Sequence, residues 1–374
     1  MPYNWVDHDL LVLEKANWLR TVRQIPPEFV NFGSNDYLGL AEDDRLKNAS
    51  IDAIKKYGTG TTGSRLLSGH RDLHEELENK IARLKQTEDA LVFSSGYLAN
   101  LGTIPALVGK RDLILADQYN HSCLVNGCRL SGATIKEFRH LDWQDLEFIL
   151  QEYRSGFQRC LIVTNSVFSM TGDVAPLKEI VALSDRFGAM VMVDEAHGTG
   201  VFGENGSGLV EMAGIDQPIV QVGTLSKAIG SLGGFVAGST KLVKYLRSRV
   251  STWIYTTALS PADTAAAIKG IELISSAPEL REKLWQNIRH LANLQKQSEL
   301  GLSPIFSIGM PDIPSTLALA EKFWQNSIYA PAIRPPTVPT PKIRISLTAK
   351  HSLDQIDRIW EIIKTIRSDS TGVG

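Results

Sequence analysis

From residue 90 onward, short apolar runs alternate with stretches of helical period. The runs cover residues 90–93, 113–116, 160–164, 189–193, 219–222 and 234–237, and each is almost continuously apolar. That texture suits strands buried on both faces, with intervening helices such as 176–187 as crossovers. It predicts an α/β chain whose mostly parallel central sheet is sandwiched by helices. Upstream, Leu73, Leu77, Ile81 and Leu84 fall on one face of a helix expected over 72–86. A helix is also expected over 43–56, and the apolar pattern at 10–20 predicts the first one. Residues 1–45 read as an N-terminal arm, 46–245 as a large domain and 246–374 as a smaller α+β domain. The last contains a proline-rich stretch, 330–341, expected as a rigid loop, and a final helix opened by the capping box Ser352-Leu-Asp-Gln355 and reaching about Arg367.

At 374 residues the chain has ample core for roughly two or three domains. Hydrophobic residues make up 43% and charged residues 21%, which fits neither a disordered chain nor a coiled coil. With 39 Lys+Arg against 41 Asp+Glu, the net charge of −2 lacks the positive field that nucleic acid or an anionic membrane would favour. The three cysteines, Cys123, Cys128 and Cys160, form no C-x-x-C and are expected as reduced core residues of a cytoplasmic protein. The first residues carry acids and no apolar segment, so no secretory signal is expected. The uncharged stretch 90–109 contains Ser94, Ser95, Gly96, Asn100 and Pro105, and reads as strand, turn and buried helix rather than a membrane span.

In open α/β sheets ligands bind beyond the carboxyl ends of the strands. The residues there are Ser94-Ser95-Gly96-Tyr97, Asn165-Ser166, Asp194-Glu195-Ala196-His197 and Gly223-Thr224-Leu225-Ser226-Lys227. The turn at Gly96-Tyr97 is either an anion site at a helix start or an ordinary βα turn. Asp194 ends an apolar strand, where an unpaired carboxylate is costly, so it is held by a partner or caps the next turn. Lys227 lies among small residues, which leaves room for a carbonyl cofactor bound as an imine; a solvated lysine is the plain alternative. A G-x-G-x-x-G at Gly58, Gly60 and Gly63 would bind a dinucleotide only after a strand. Helical, charged residues precede it, which favours a flexible glycine loop. His70 and His74 have metal-ligand spacing but no third ligand, and no metal is expected. Together, a lysine for an aldehyde, a carboxylate for a pyridine nitrogen and donors for a phosphate match pyridoxal 5'-phosphate (PLP). A carboxylate about 4 Å from the ring nitrogen would contribute roughly 4 kcal/mol toward keeping it protonated.

The segments Asn35-Asp-Tyr-Leu-Gly-Leu40, Asn120-His-Ser-Cys123, Val167-Phe-Ser-Met-Thr-Gly-Asp173, Val193-Asp-Glu-Ala-His-Gly-Thr-Gly200 and Thr224-Leu-Ser-Lys227 resemble the α-oxoamine synthases, PLP enzymes of fold type I. The resemblance spans nearly the whole chain. It implies an aspartate aminotransferase-like fold and a decarboxylative condensation of an amino acid with an acyl thioester. Lys227 would bind the cofactor aldehyde, Asp194 the pyridine nitrogen, and His121 would stack on the ring and approach the substrate. Ser169 and His197 would face the phenolic oxygen, with Thr224, Gly96 and Tyr97 holding phosphate. Thr257 would serve the neighbouring subunit of a homodimer. Arg344 would receive the amino-acid carboxylate, and Arg20, Arg334 and Thr337 the acyl substrate. Ala332-Ile-Arg-Pro-Pro-Thr-Val-Pro339 is similar to the branch that joins L-alanine to a pimeloyl thioester, carried on coenzyme A or acyl-carrier protein. Two departures from the family pattern are Asn165, where a carboxylate is frequent, and Thr171, where an Asp is. Outside this branch the alternatives are a synthase using glycine with an acetyl or succinyl thioester, a nucleotide-dependent oxidoreductase, and a non-catalytic acyl-carrier-binding protein.

Overall fold

The computed structural model describes residues 1–298 and 301–371. The chain forms two compact units. The larger takes Asp36–Ser169 and Asp173–Trp285, the smaller Met1–Asn35, Met170–Gly172 and the residues from Gln286 onward. The expected boundaries at 45/46 and 245/246 thus lie at 35/36 and 285/286. Helix Pro261–Ser276 packs on helices Asp44–Tyr57 and Asp72–Leu84, which keeps it in the larger unit. Val30 and Asn31 pair with Ile328 and Tyr329, which ties the N-terminal segment to the smaller one.

The larger unit is built on seven strands: β1 (Asp89–Phe93), β2 (Leu113–Asp117), β3 (Thr134–Phe138), β4 (Cys160–Asn165), β5 (Met190–Asp194), β6 (Val220–Thr224) and β7 (Gly234–Gly238). Their order is β1-β7-β6-β5-β4-β2-β3. Strands β2 to β6 run parallel, while β7 is antiparallel to both β1 and β6. Six strands coincide with the apolar runs, since strands buried on both faces show continuous apolarity. The seventh, β3, is an edge strand of sequence Thr-Ile-Lys-Glu-Phe, half exposed, whose charges suit an unpaired edge and hide it from a search for apolar runs. The uncharged stretch near residue 90 resolves into β1 and the helix Gly96–Leu107. No helix among the described residues is long and apolar enough to cross a membrane.

The smaller unit has a three-stranded antiparallel sheet of β8 (Ile305–Gly309), β9 (Ala332–Ile333) and β10 (Lys342–Ser346), in the order β9-β10-β8. The proline-rich stretch therefore carries a strand and is part of this unit's fold. Ser352 and Gln355 exchange the two bonds of the expected capping box, and the last helix runs Leu353–Thr371. The first helix is Trp5–Lys15 rather than 10–20. Asn17 takes a left-handed conformation, with its N–H bonded to the Glu14 carbonyl and that of Trp18 to the Leu13 carbonyl. This double closure stops the helix before Trp18 whatever the apolar pattern beyond it.

Candidate active site

Three parallel strands end side by side in the larger unit. Asn165 on β4 is in register with Asp194 on β5, which is in register with Val222 on β6, two residues before Thr224. The pleat and the common direction of the strands therefore bring chemistry-bearing residues to one edge. Asp194 is 4% exposed. Its Oδ1 accepts the Ala196 N–H at 2.8 Å and its Oδ2 the Asn100 side-chain amide at 2.7 Å. No Lys, Arg or His among the described residues forms an ion pair with it. A carboxylate so enclosed needs a cation or several donors.

Lys227 follows β6 and is half-buried. Its Nζ lies 2.9 Å from His197 Nε2, and His197 Nδ1 lies 2.5 Å from the Tyr37 hydroxyl. The family resemblance implies no role for Tyr37, although it lies within Asn35-Asp-Tyr-Leu-Gly-Leu40; nothing in local pattern connects positions 160 residues apart. His121 caps helix Ser122–Ser131, with its Nδ1 2.9 Å from Cys123 Sγ. Its backbone N–H donates to Asn165 Oδ1 at 3.0 Å, so the amide at 165 orients the histidine backbone. Partial desolvation holds the His121 ring below the ordinary histidine value, with Asp194 opposing and Lys227 adding to the lowering.

Gly96 opens the helix Gly96–Leu107, capped by Ser95. A Cβ on Gly96 would lie 3.1 Å from Thr224 Cβ, and one on Gly234 would lie 2.3 Å from the Gly96 nitrogen. Glycines at both places let this helix start sit against the end of β6. Thr224 Oγ1 and Ser226 Oγ are 2.7 Å apart beside it. Helix N–H groups and two hydroxyls at such a place form a cradle that could hold a phosphate. Tyr97, the next residue, is exposed and bonds Asn126 through its hydroxyl. Ser169 belongs to the hairpin closed by the Val167–Val174 bridge. Thr257 is exposed and pairs with Ser64 rather than with the cradle.

Of the five expected substrate residues, His121 lies in the larger unit, whereas Arg20, Arg334, Thr337 and Arg344 belong to the smaller one. Arg344 is buried, donating to Ser346 Oγ at 2.7 Å and Asn35 Oδ1 at 2.9 Å. Arg20 donates to the Thr337 hydroxyl at 3.0 Å, and both border a cavity of about 310 Å³ with Trp18, Met170, Ile333 and Arg334.

Other features take structural places. The loop at Gly58, Gly60 and Gly63 follows a helix and leads into turns, which is not the setting of a dinucleotide site. His74 Nδ1 accepts the Arg71 N–H and its Nε2 faces the Leu259 carbonyl, so both nitrogens are engaged; His70 bonds Arg65 and Glu75. The three cysteines are buried and unpaired, and burial pushes the Cys123 and Cys128 thiols to about 12 and Cys160 to about 11.

The sequence pattern of the family "Aminotransferase class I and II" matches residues 27–363. A protein of Gloeothece citriformis provisionally named 8-amino-7-oxononanoate synthase is 54% identical, the alignment covering 97% of this chain and 99% of the relative. One of Acaryochloris marina with the same provisional name is 53% identical, over 98% and 99%. Among solved structures, serine palmitoyltransferase of S. paucimobilis, with a bound PLP–myriocin aldimine, superposes with a TM-score of 0.90 at 32% identity, covering 97% of each chain. 8-Amino-7-oxononanoate synthase of Francisella tularensis gives 0.78 at 29% identity, over 91% of this chain and 99% of its own. The lysine, the enclosed carboxylate without a protein cation and the glycine-walled cradle fit PLP as a set. The chain belongs to the aminotransferase class I and II family, in its α-oxoamine synthase branch.

Proposed function

We propose that this chain condenses L-alanine with a pimeloyl thioester to give 8-amino-7-oxononanoate, CO2 and the free thiol, using PLP. The observation that carries the reading is the half-buried Lys227 amine against His197, at the strand edge where Asp194 waits without a protein cation. When bound, the cofactor supplies an aldehyde for an amine and a conjugated ring that accepts the electron pair released at the α-carbon. Lys227 would hold it at rest, Asp194 would face its ring nitrogen, His121 its ring, Ser169 and His197 its phenolic oxygen, and Thr224 with the Gly96-Tyr97 backbone its phosphate.

In this reading Lys227 is the base that removes the alanine α-proton and later returns one to the product. His197 orients that amine through Nε2. Arg344 receives the substrate carboxylate as a planar fork, with Ser346 and Asn35 fixing its plane. Arg20, Arg334 and Thr337 bind the acyl donor at the cavity they line. New C–C bond formation at the thioester carbonyl expels the thiol, and the β-keto acid then loses its carboxylate as CO2. The choice of alanine and a pimeloyl donor is supported by full-length relatives above 50% identity that carry that name.

We further propose a cytoplasmic homodimer in which Thr257 reaches the partner's phosphate. Its exposure supports this, as does the first helix, which exposes Trp5, Leu10, Leu11 and Val12. The decisive experiment supplies purified, PLP-loaded protein with L-alanine and pimeloyl-CoA or the pimeloyl carrier protein, and detects the product by mass spectrometry. The likeness to serine palmitoyltransferase supplies the competing reading, L-serine with a palmitoyl thioester. Faster turnover of that pair, or of glycine with acetyl or succinyl thioester, would replace the proposed substrates.

A further inference from the structure

Asn100 sits in the second turn of the helix that opens at Gly96, four residues or about 6 Å along its axis. It is 1% exposed. Its Nδ2 faces three acceptors: Asp194 Oδ2 at 2.7 Å, the Gly96 carbonyl at 3.2 Å and Cys123 Sγ at 3.3 Å. Its Oδ1 is buried and has no hydrogen-bond partner among the described residues. Leaving such an oxygen unsatisfied is unfavourable. The opposite amide orientation would be worse, because it would set an oxygen against a carboxylate and a carbonyl. The side chain is thus committed to donating toward Asp194. One helix addresses both ends of the site, its first turn the phosphate cradle and its second the carboxylate.

We propose that Asn100 is a positioning residue of the cofactor site, fixing one oxygen of Asp194 so that the carboxylate is presented to the ring nitrogen. This rests on the PLP reading above. It acts through Asp194, so its loss changes the electronic state of the cofactor as well as its affinity. In Asn100→Asp two carboxyl groups would share the position, and one would hold a proton over part of the neutral range.

The test titrates cofactor-free protein with PLP between pH 5.5 and 8.5, following the absorbance spectrum and Kd for wild type, N100A, N100S and N100D. Removing the charge-assisted bond is expected to weaken PLP binding roughly tenfold in N100A and N100S. N100D is expected to add a pH-dependent spectral transition absent from wild type. Turnover should fall through kcat with the amino-acid KM nearly unchanged. Thermal unfolding without PLP identifies a purely structural role, which would lower Tm while leaving Kd and spectrum untouched. Wild-type Kd and a pH-invariant spectrum in the folded variants overturn the proposal for Asn100 alone. A wild-type protein that takes up no PLP overturns this inference and the function together.

Discussion

The Tyr37 hydroxyl lies 2.5 Å from His197 Nδ1, on the side of the ring opposite Lys227. A histidine bonded through both nitrogens couples its partners. When the Lys227 ammonium donates to Nε2, the Nδ1–H donates to the tyrosine oxygen; once Lys227 is neutral, the chain can reverse, with the hydroxyl donating to Nδ1 and Nε2–H to the amine. Under the proposed function Tyr37 would thus be linked to the Lys227 amine through His197. Tyr37→Phe removes the hydroxyl and keeps the ring. The expected result is a kcat roughly tenfold lower, the worth of one hydrogen bond in a polar relay, with the acid limb of the kcat–pH profile displaced by about half a unit or more. Steady-state kinetics across pH decide it; an unmoved profile would remove Tyr37 from the relay.

Asp194 is the second point of leverage. Asp194→Asn preserves shape and can still accept the Ala196 N–H, so PLP should still bind. The amide carries no charge to stabilise a protonated ring nitrogen, which at about 4 Å is a loss of roughly 4 kcal/mol, or about a thousandfold in rate. Exchange of the L-alanine α-proton with deuterium, followed by NMR, reports this step without the acyl donor. Retention of wild-type exchange in the variant would sink the electrostatic role.

How far these features could be read in the sequence follows from their physics. Buried strands announce themselves because both faces must be apolar, so six of the seven strands and the residues ending them were legible. The edge strand Thr134–Phe138 was not, since half of it faces water. The first helix was misplaced because its end is set by the left-handed backbone at Asn17, and the apolar pattern runs past it. Asp194, His197 and Lys227 stood out as polar groups at strand ends. Asn100 did not, because a single amide in an uncharged helix looks ordinary until its carboxylate partner, 94 residues away, is in view. Tyr37 was hidden for the same reason, its partner being distant in the chain.

His140 yields a prediction in the alkaline range. Its Nδ1 is 2.8 Å from Asp117 Oδ1 and its Nε2 3.1 Å from Asp173 Oδ2, between the rings of Tyr119 and Phe168. Burial alone would depress this ring, but hydrogen bonds and charge from the two carboxylates outweigh it and raise it to about 9. A folded value above the unfolded 6.5 means the stabilisation is complete below pH 6.5 and disappears as pH rises through 9. Because Asp173 is 41% exposed, solvent screening reduces the linkage to about 2 kcal/mol. His140→Gln should therefore be less stable than wild type by about that amount at pH 6.5, with the gap closing by at least half at pH 10. Urea unfolding at both pH values measures it, and a gap that is the same at both would contradict the charged triad.

Two other histidines act in the acid range and with opposite sign. Burial lowers His74 and His351 to about 4 each. Each ring accepts a backbone N–H at Nδ1, from Arg71 and Thr348 respectively, and so must remain neutral to hold its place. His351 is also stacked on Phe32 at 4.2 Å. With folded values below the unfolded 6.5, their contribution is fully present above pH 6.5 and is lost as pH falls toward 4. The span of about 2.5 units corresponds to at most about 3.4 kcal/mol for each histidine. Since His74 belongs to the larger unit and His351 to the smaller, both should weaken together on acidification. Denaturant unfolding between pH 7 and 4.5 should show this fall, with a shallower pH dependence in His74→Gln and in His351→Gln. The glutamine variants start less stable at pH 7, so the informative quantity is the slope. A wild-type slope retained in both variants would assign the acid sensitivity to carboxylates instead.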